Sequence, residues 1–126
     1  MSIEDQNTGE KIRREVMGSD HVDASLGNAT EFDLPLQAAA MEHAWGGVWA
    51  RDGLDRKTRS IVTVSMLIAL QAHGELKGHI RGAFNNGVSP EQIREIIMHA
   101  AAYCGYPAAL SAMRVAREVI DTHQAQ

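Results

Sequence analysis

An all-α fold of about six or seven helices is predicted by three features of this sequence. Apolar residues recur mainly at helical rather than alternating spacing, clear helix start and stop signals divide the chain, and its one β-branched run has no convincing second strand to pair with. The chain has 126 residues and a hydrophobic share of 44%, which suits one domain with a packed core. A single domain over residues 1–126 is therefore expected, without linker, repeat or low-complexity segment.

Residues up to about Gly18 are polar, with Ile12 and Val16 four apart, which predicts a short amphipathic helix or arm. The pattern continues weakly from Ser19 to Leu26, and Asn28-Ala29-Thr30 reads as a loop. Pro35 suits the first turn of a helix, where its missing N–H is not needed, and that helix is expected to run to about Trp49. Arg51-Asp52-Gly53 then breaks the chain.

Asp55 is placed to cap a segment from Arg56 to Ala72. The centre of that segment, Ile61 to Leu70, is almost continuously apolar. Its β-branched residues favour a strand, but the run is long for one, so a buried central helix is expected. Glu75 to Phe84 is the next helical piece, ended by Asn85-Asn86-Gly87, which accepts the left-handed conformation of a helix terminus. Ser89-Pro90-Glu91-Gln92 combines a capping Ser, Pro at the first helical position and Gln three residues after the cap. Ile93, Ile96, Ile97, Ala100 and Ala101 follow on one apolar face. Gly105 and Pro107 mark the start of a last helix whose face carries Ala109, Met113, Ala116 and Ile120. Alanine-rich faces let helices approach closely, and faces this broad are expected to find cover in another subunit, as a homo-oligomer.

A net charge of −4 with no dense Lys/Arg cluster argues against nucleic acid as partner, since phosphate contacts need a positive patch. The N-terminus begins polar and acidic, unlike a signal peptide, and no stretch is apolar enough to span a bilayer, so a soluble cytoplasmic protein is expected. The one cysteine, Cys104, lies in Ala102-Tyr103-Cys104-Gly105-Tyr106 and reads as a small core thiol; without a second cysteine there is neither a disulfide nor a thiolate set for a metal.

The fingerprints of dinucleotide, nucleotide-phosphate and zinc-protease sites are absent, as is the serine-hydrolase elbow. What remains is the polar stretch from His73 to Arg81. Glu75 and His79 are four apart and share a helix face, where a carboxylate can hold the imidazole's tautomer and favour its protonated form, as a general acid requires. The plainer alternative is an exposed pair of little consequence; a metal site from His73, Glu75 and His79 matches no common ligand spacing, so no metal is expected. Trp45 and Trp49, also four apart, suit a core or subunit contact as well as a pocket wall. Gly46 and Gly47 between them mark a bend or close packing. Arg56 and Arg59 are placed either to pair with acidic neighbours or to hold an anionic substrate.

Together these segments resemble the carboxymuconolactone decarboxylase family, related to the alkylhydroperoxidase AhpD-like fold. The stretches that carry the resemblance are Val16-Met17-Gly18 to Val22, Trp45-Gly46-Gly47-Val48-Trp49, Gly53-Leu54-Asp55-Arg56-Lys57-Thr58-Arg59-Ser60, Glu75-Leu76-Lys77-Gly78-His79-Ile80-Arg81, Asn85-Asn86-Gly87 and Tyr103-Cys104-Gly105-Tyr106-Pro107-Ala108-Ala109. The resemblance implies an all-helical, ring-like homo-oligomer, a hexamer or trimer, and decarboxylation of a small lactone dicarboxylate in the β-ketoadipate route of aromatic (protocatechuate) catabolism, with no cofactor. It implies catalytic roles for His79 and Glu75, and substrate contacts from Arg59 or Arg81, Trp45 and His43. His43 stands where the family usually has Tyr, so substrate preference would differ if that position lines the pocket. The peroxidase branch resembles CxxCxxxH; with its His on His79, Ala72 and Glu75 occupy the cysteine positions, which disfavours thiol-based peroxide reduction.

Overall fold

The structure, a computed structural model, describes residues 3–125. Among them are seven α-helices, one π-helical segment and no strand. The chain divides into two compact units, one up to Arg56 and the other from Lys57 onward.

In the first unit, α1 (Ile3–Met17) and α2 (Ser19–Gly27) are separate helices because Gly18, at φ 91°, turns the chain between them. Helix α3 (Leu34–Ala39) carries Pro35 in its first turn and runs directly into a π-helix, Ala40–Trp45. The expected α-helix to Trp49 is thus corrected: α-helical winding stops at Ala39 and the π-helix ends at Trp45. The backbone shows the change, since the N–H groups of Gly46 and Trp49 donate to carbonyls five residues back, Met41 and Ala44, both at 2.9 Å.

Close packing against α1 accounts for the glycines here. A Cβ on Gly46 would stand 2.5 Å from the Asp5 carbonyl oxygen, and one on Gly9 would overlap the carbonyl oxygen of Met41. Ile12, Val16, Met17, Val22, Met41 and Trp45 form this unit's core. Arg13 ties α1 to its neighbours, donating to Gln37 Oε1 at 2.9 Å and Ser25 Oγ at 3.2 Å. Burial lowers the pKa of its guanidinium, and nearby Glu10 partly restores it.

The second unit contains the rest of α4 (Arg56–Leu70), α5 (His73–Asn85), α6 (Pro90–Cys104) and α7 (Tyr106–Ala125), with α7 packed along both α5 and α6. The Ser89 start signal is realised as a capping box: Ser89 Oγ accepts from the Gln92 N–H at 3.1 Å, and Gln92 Oε1 accepts from the Ser89 N–H at 3.0 Å. Gly87 and Gly105, both at φ 93°, follow the ends of α5 and α6. The core joins Val64 and Ile68 of α4, Leu76 and Ile80 of α5, Ile93 and Ile97 of α6, and Ala109, Ala112, Ala116 and Val119 of α7.

Four expectations need correction. Helix α4 ends at Leu70, because Gln71 takes a left-handed φ of 55°. It is also amphipathic in this chain: only Ser60, Val64 and Ile68 are buried, while Met66 and Leu70 are 60% and 75% exposed, because a helix turns successive residues to different sides. The face of α7 rotates toward Ala112 and Val119, leaving Met113 at its rim. Cys104, finally, is exposed at the end of α6 and is no core thiol.

Candidate active site

The π-helix presents two of the residues singled out from sequence. Such windings concentrate at functional sites because the extra residue per turn re-aims side chains. His43 is exposed, with Nε2 4.0 Å from Glu42 Oε2, and the Glu42 side chain is mostly buried. Trp45 is buried in the first unit's core and stacks on half-buried Trp49, with ring centroids 5.0 Å apart and planes 26° from parallel. Trp45 therefore takes the core alternative, and Trp49 is the more accessible of the two.

Trp49 also lines a polar cavity of about 530 Å³ with Lys11, Glu15, Arg51, Asp52 and Arg56. Arg56 donates to Glu15 Oε2 at 2.6 Å, an ion pair between groups about 40% exposed. Arg56 thus pairs with an acid of α1, Glu15. Sequence spacing gave no sign of this cavity, because it joins α1 to a turn some forty residues away.

In the second unit, α5 carries Glu75 and His79 about 40° apart around its axis, as the four-residue spacing requires. His79 is half-buried and its Nδ1 is shielded from solvent, whereas Glu75 is exposed and makes no ion pair among the described residues. Arg59, on α4, is half-buried with its Nε shielded. Arg81 lies two residues beyond His79, hence about 160° around the helix, and faces α7 with Lys77. The structure therefore brings Glu75 and His79 to one face and turns Arg81 to the opposite flank. His73, like Glu75, is exposed, and among the described residues no three His, Cys, Asp or Glu side chains gather to hold a metal ion.

A further cavity, of about 510 Å³ and largely apolar, lies between α4 and α6, lined by Ile61, Ser65, Ile96, Ala100 and Tyr103, with Glu95, His99 and Cys104 beside them. His99 and Tyr103 stack there at 5.1 Å. The sequence reading did not single out His99. Its position four residues before Tyr103 on α6 was the available signal. Among the described residues no helix is long and apolar enough to cross a membrane.

Comparison with known proteins gives these features a family. The model of the carboxymuconolactone decarboxylase family matches residues 35–118, from the first turn of α3 into α7. The chain is 49% identical over 113 residues to a nitrosuccinic acid decarboxylase of Metarhizium robertsii, covering 90% of this chain and 79% of that protein. It is 45% identical over 111 residues to a 4-carboxymuconolactone decarboxylase of Acinetobacter baylyi, covering 88% and 83%. An uncharacterised 15.0 kDa protein of Paracoccus denitrificans is 32% identical over 94 residues, covering 72% and 70%. A family match over two-thirds of an all-helical chain, with two named decarboxylases aligned along most of its length, establishes that this protein belongs to the carboxymuconolactone decarboxylase family.

Proposed function

We propose that this protein is a carboxy-lyase that decarboxylates 4-carboxymuconolactone to β-ketoadipate enol-lactone without a cofactor, as a step of protocatechuate catabolism. The observation that carries this reading is the 45% identity, over 88% of the chain, to a 4-carboxymuconolactone decarboxylase, within a family of matching name.

The substrate explains why no cofactor is required. Its ring carbon next to oxygen bears a carboxylate and an acetate arm. When the C–C bond to the carboxylate breaks, CO₂ leaves and the electron pair moves through the ring double bond to the lactone carbonyl, giving an oxyfuran-like dienolate. A proton delivered to the carbon alpha to that carbonyl completes the product. The electron sink is in the substrate, so the protein needs to orient it, stabilise the developing oxyanion and supply the proton.

His79 is the proton donor in this reading, with Glu75 as the positioning residue one turn before it. Arg59 is the better candidate for a substrate carboxylate, because Arg81 lies on the flank of α5 away from His79. His43 and Trp45, on the π-helix, remain the first unit's candidates for substrate preference, His43 being the exposed one of the two.

A second reading is favoured by the 49% identity to a nitrosuccinic acid decarboxylase. Nitrosuccinate also carries, on one carbon, a carboxylate, a carboxymethyl arm and an electron acceptor, here the nitro group. The demands on orienting cation and proton donor are alike. Incubating the purified protein with each compound and identifying products by mass spectrometry decides between them. Turnover of neither would remove the decarboxylase reading, and peroxide consumption with a thiol reductant would point to the oxidoreductase branch of the fold.

The working form is a cytoplasmic homo-oligomer, a hexamer or trimer. Exposed Met66, Leu70, Tyr103, Tyr106 and Leu110 support an assembly that covers part of the second unit. Light scattering tests it, and a monodisperse monomer would refute it.

A further inference from the structure

Where α5 packs along α7, a small cavity of about 160 Å³ is lined by Lys77 and Arg81 from α5 and by Val119, Thr122 and His123 from α7. Lys77 and Arg81 are one helical turn apart, a spacing at which like charges repel. The available counter-charge is slight. Glu118 Oε2 stands 3.8 Å from Lys77 Nζ, with both side chains substantially exposed. Arg81 is half-buried and makes no hydrogen bond or ion pair among the described residues. Asp121, the other acidic residue of this stretch of α7, is exposed and does not line the cavity.

The His123 ring stands against Phe84 beside the cavity, with centroids 5.0 Å apart. Thr122 donates its hydroxyl proton to the Glu118 carbonyl at 3.0 Å, so the donors offered to a ligand are those of Lys77, Arg81 and His123. Two cations about 6 Å apart at their Cβ atoms match a small dianion. A volume of 160 Å³ is well below the roughly 300 Å³ at which pockets for larger organic ligands begin.

We propose that this cavity binds a small dianion, inorganic phosphate or a short dicarboxylate, between Lys77 and Arg81, as a site separate from the His79 face of the same helix. The anion relieves the repulsion between the two cations and joins α5 to α7. The site stands whether or not the protein decarboxylates either lactone or nitro acid.

The test is thermal unfolding of the full chain against rising sodium phosphate and, separately, sodium succinate, with sodium chloride holding ionic strength constant. A ligand that binds only the folded state raises the midpoint along a saturable curve. Saturation by phosphate, by succinate or by both supports the site and identifies the preferred dianion. Arg81→Gln and Lys77→Gln are each expected to weaken that ligand about tenfold or more, as loss of a charge-assisted bond predicts. Thr122→Val leaves the affinity unchanged, since its hydroxyl is already engaged. Binding also persists in His79→Ala. Should Arg81→Gln unfold, calorimetric titration of Lys77→Gln carries the same comparison. No effect beyond chloride, or undiminished affinity in both cation variants, overturns the proposal: Lys77 and Arg81 would then merely complement the carbonyl end of α7. Loss of binding in His79→Ala would overturn the separateness of the two sites.

Discussion

Gly9→Ala isolates the packing that holds the π-helix. In an open helix this change is favourable, because Ala has the better helix propensity by about 1 kcal/mol. At Gly9 the added Cβ overlaps the Met41 carbonyl oxygen and lies 2.8 Å from the Met41 carbonyl carbon and 3.0 Å from the Gly46 nitrogen. All three are backbone atoms, so no side chain can swing away. Overpacking costs roughly 1–3 kcal/mol where side chains can adjust, and backbone neighbours place this site at the upper end. After the propensity gain, a net loss of about 2 kcal/mol is expected. Both tryptophans of the chain, Trp45 and Trp49, lie in the first unit, so urea unfolding followed by tryptophan fluorescence reports that unit directly. The midpoint should fall with little change in slope. Gly74→Ala on α5, with nothing within 4 Å of its added Cβ, is the control and should be neutral or slightly stabilising. Equal stability of Gly9→Ala and the parent protein would refute the close-packing argument.

Other expectations follow from the same geometry. His79→Ala should lower turnover of the decarboxylated substrate by about two powers of ten or more while circular dichroism shows unchanged helix content. Gln71→Gly should be neutral or stabilising by up to about 1 kcal/mol in thermal unfolding, because Gln71 holds a left-handed φ of 55°. Ser60→Ala removes a buried hydroxyl that accepts from Asn86 Nδ2 at 2.9 Å, and a loss of about 1–2 kcal/mol is expected in the same measurement.

Local signals made much of the fold legible. The Ser89 box and the glycines at 87 and 105 act through backbone geometry within a few residues, and each appears at its expected place. The π-helix was not legible, because its cause is tertiary: α1 lies against Met41 and Gly46, and nothing in Ala40-Met41-Glu42-His43-Ala44-Trp45 alone distinguishes it from an ordinary helix. The apolar run of α4 misled for a related reason. Composition reports how apolar a segment is but not which neighbours cover it, so Met66 and Leu70 read as core although this chain leaves them exposed. At the site, spacing sufficed to put Glu75 and His79 on one face and also contained the angular separation of Arg81. It could not reveal the cavity joining α1 to residues 49–56, nor the partner of Arg56.

The exposure of Glu75 makes its role measurable. A carboxylate and an imidazolium about 4 Å apart attract by only about 1 kcal/mol in bulk water, worth roughly a fivefold effect on rate, and several times more where a protein surface excludes water. In the single chain Glu75 lies on the water side of that comparison. If it holds His79 protonated during turnover, the assembly must cover it. Glu75→Gln, which keeps the shape and removes the charge, should then cost more than tenfold in kcat, with a loss that persists in 0.5 M salt, since covered charges are screened little. Because both residues serve one proton transfer, the double variant with His79→Ala should be little worse than His79→Ala alone. A loss under about fivefold that disappears with added salt, or losses that multiply in the double variant, would reduce Glu75 to a surface residue and leave His79 to act without it.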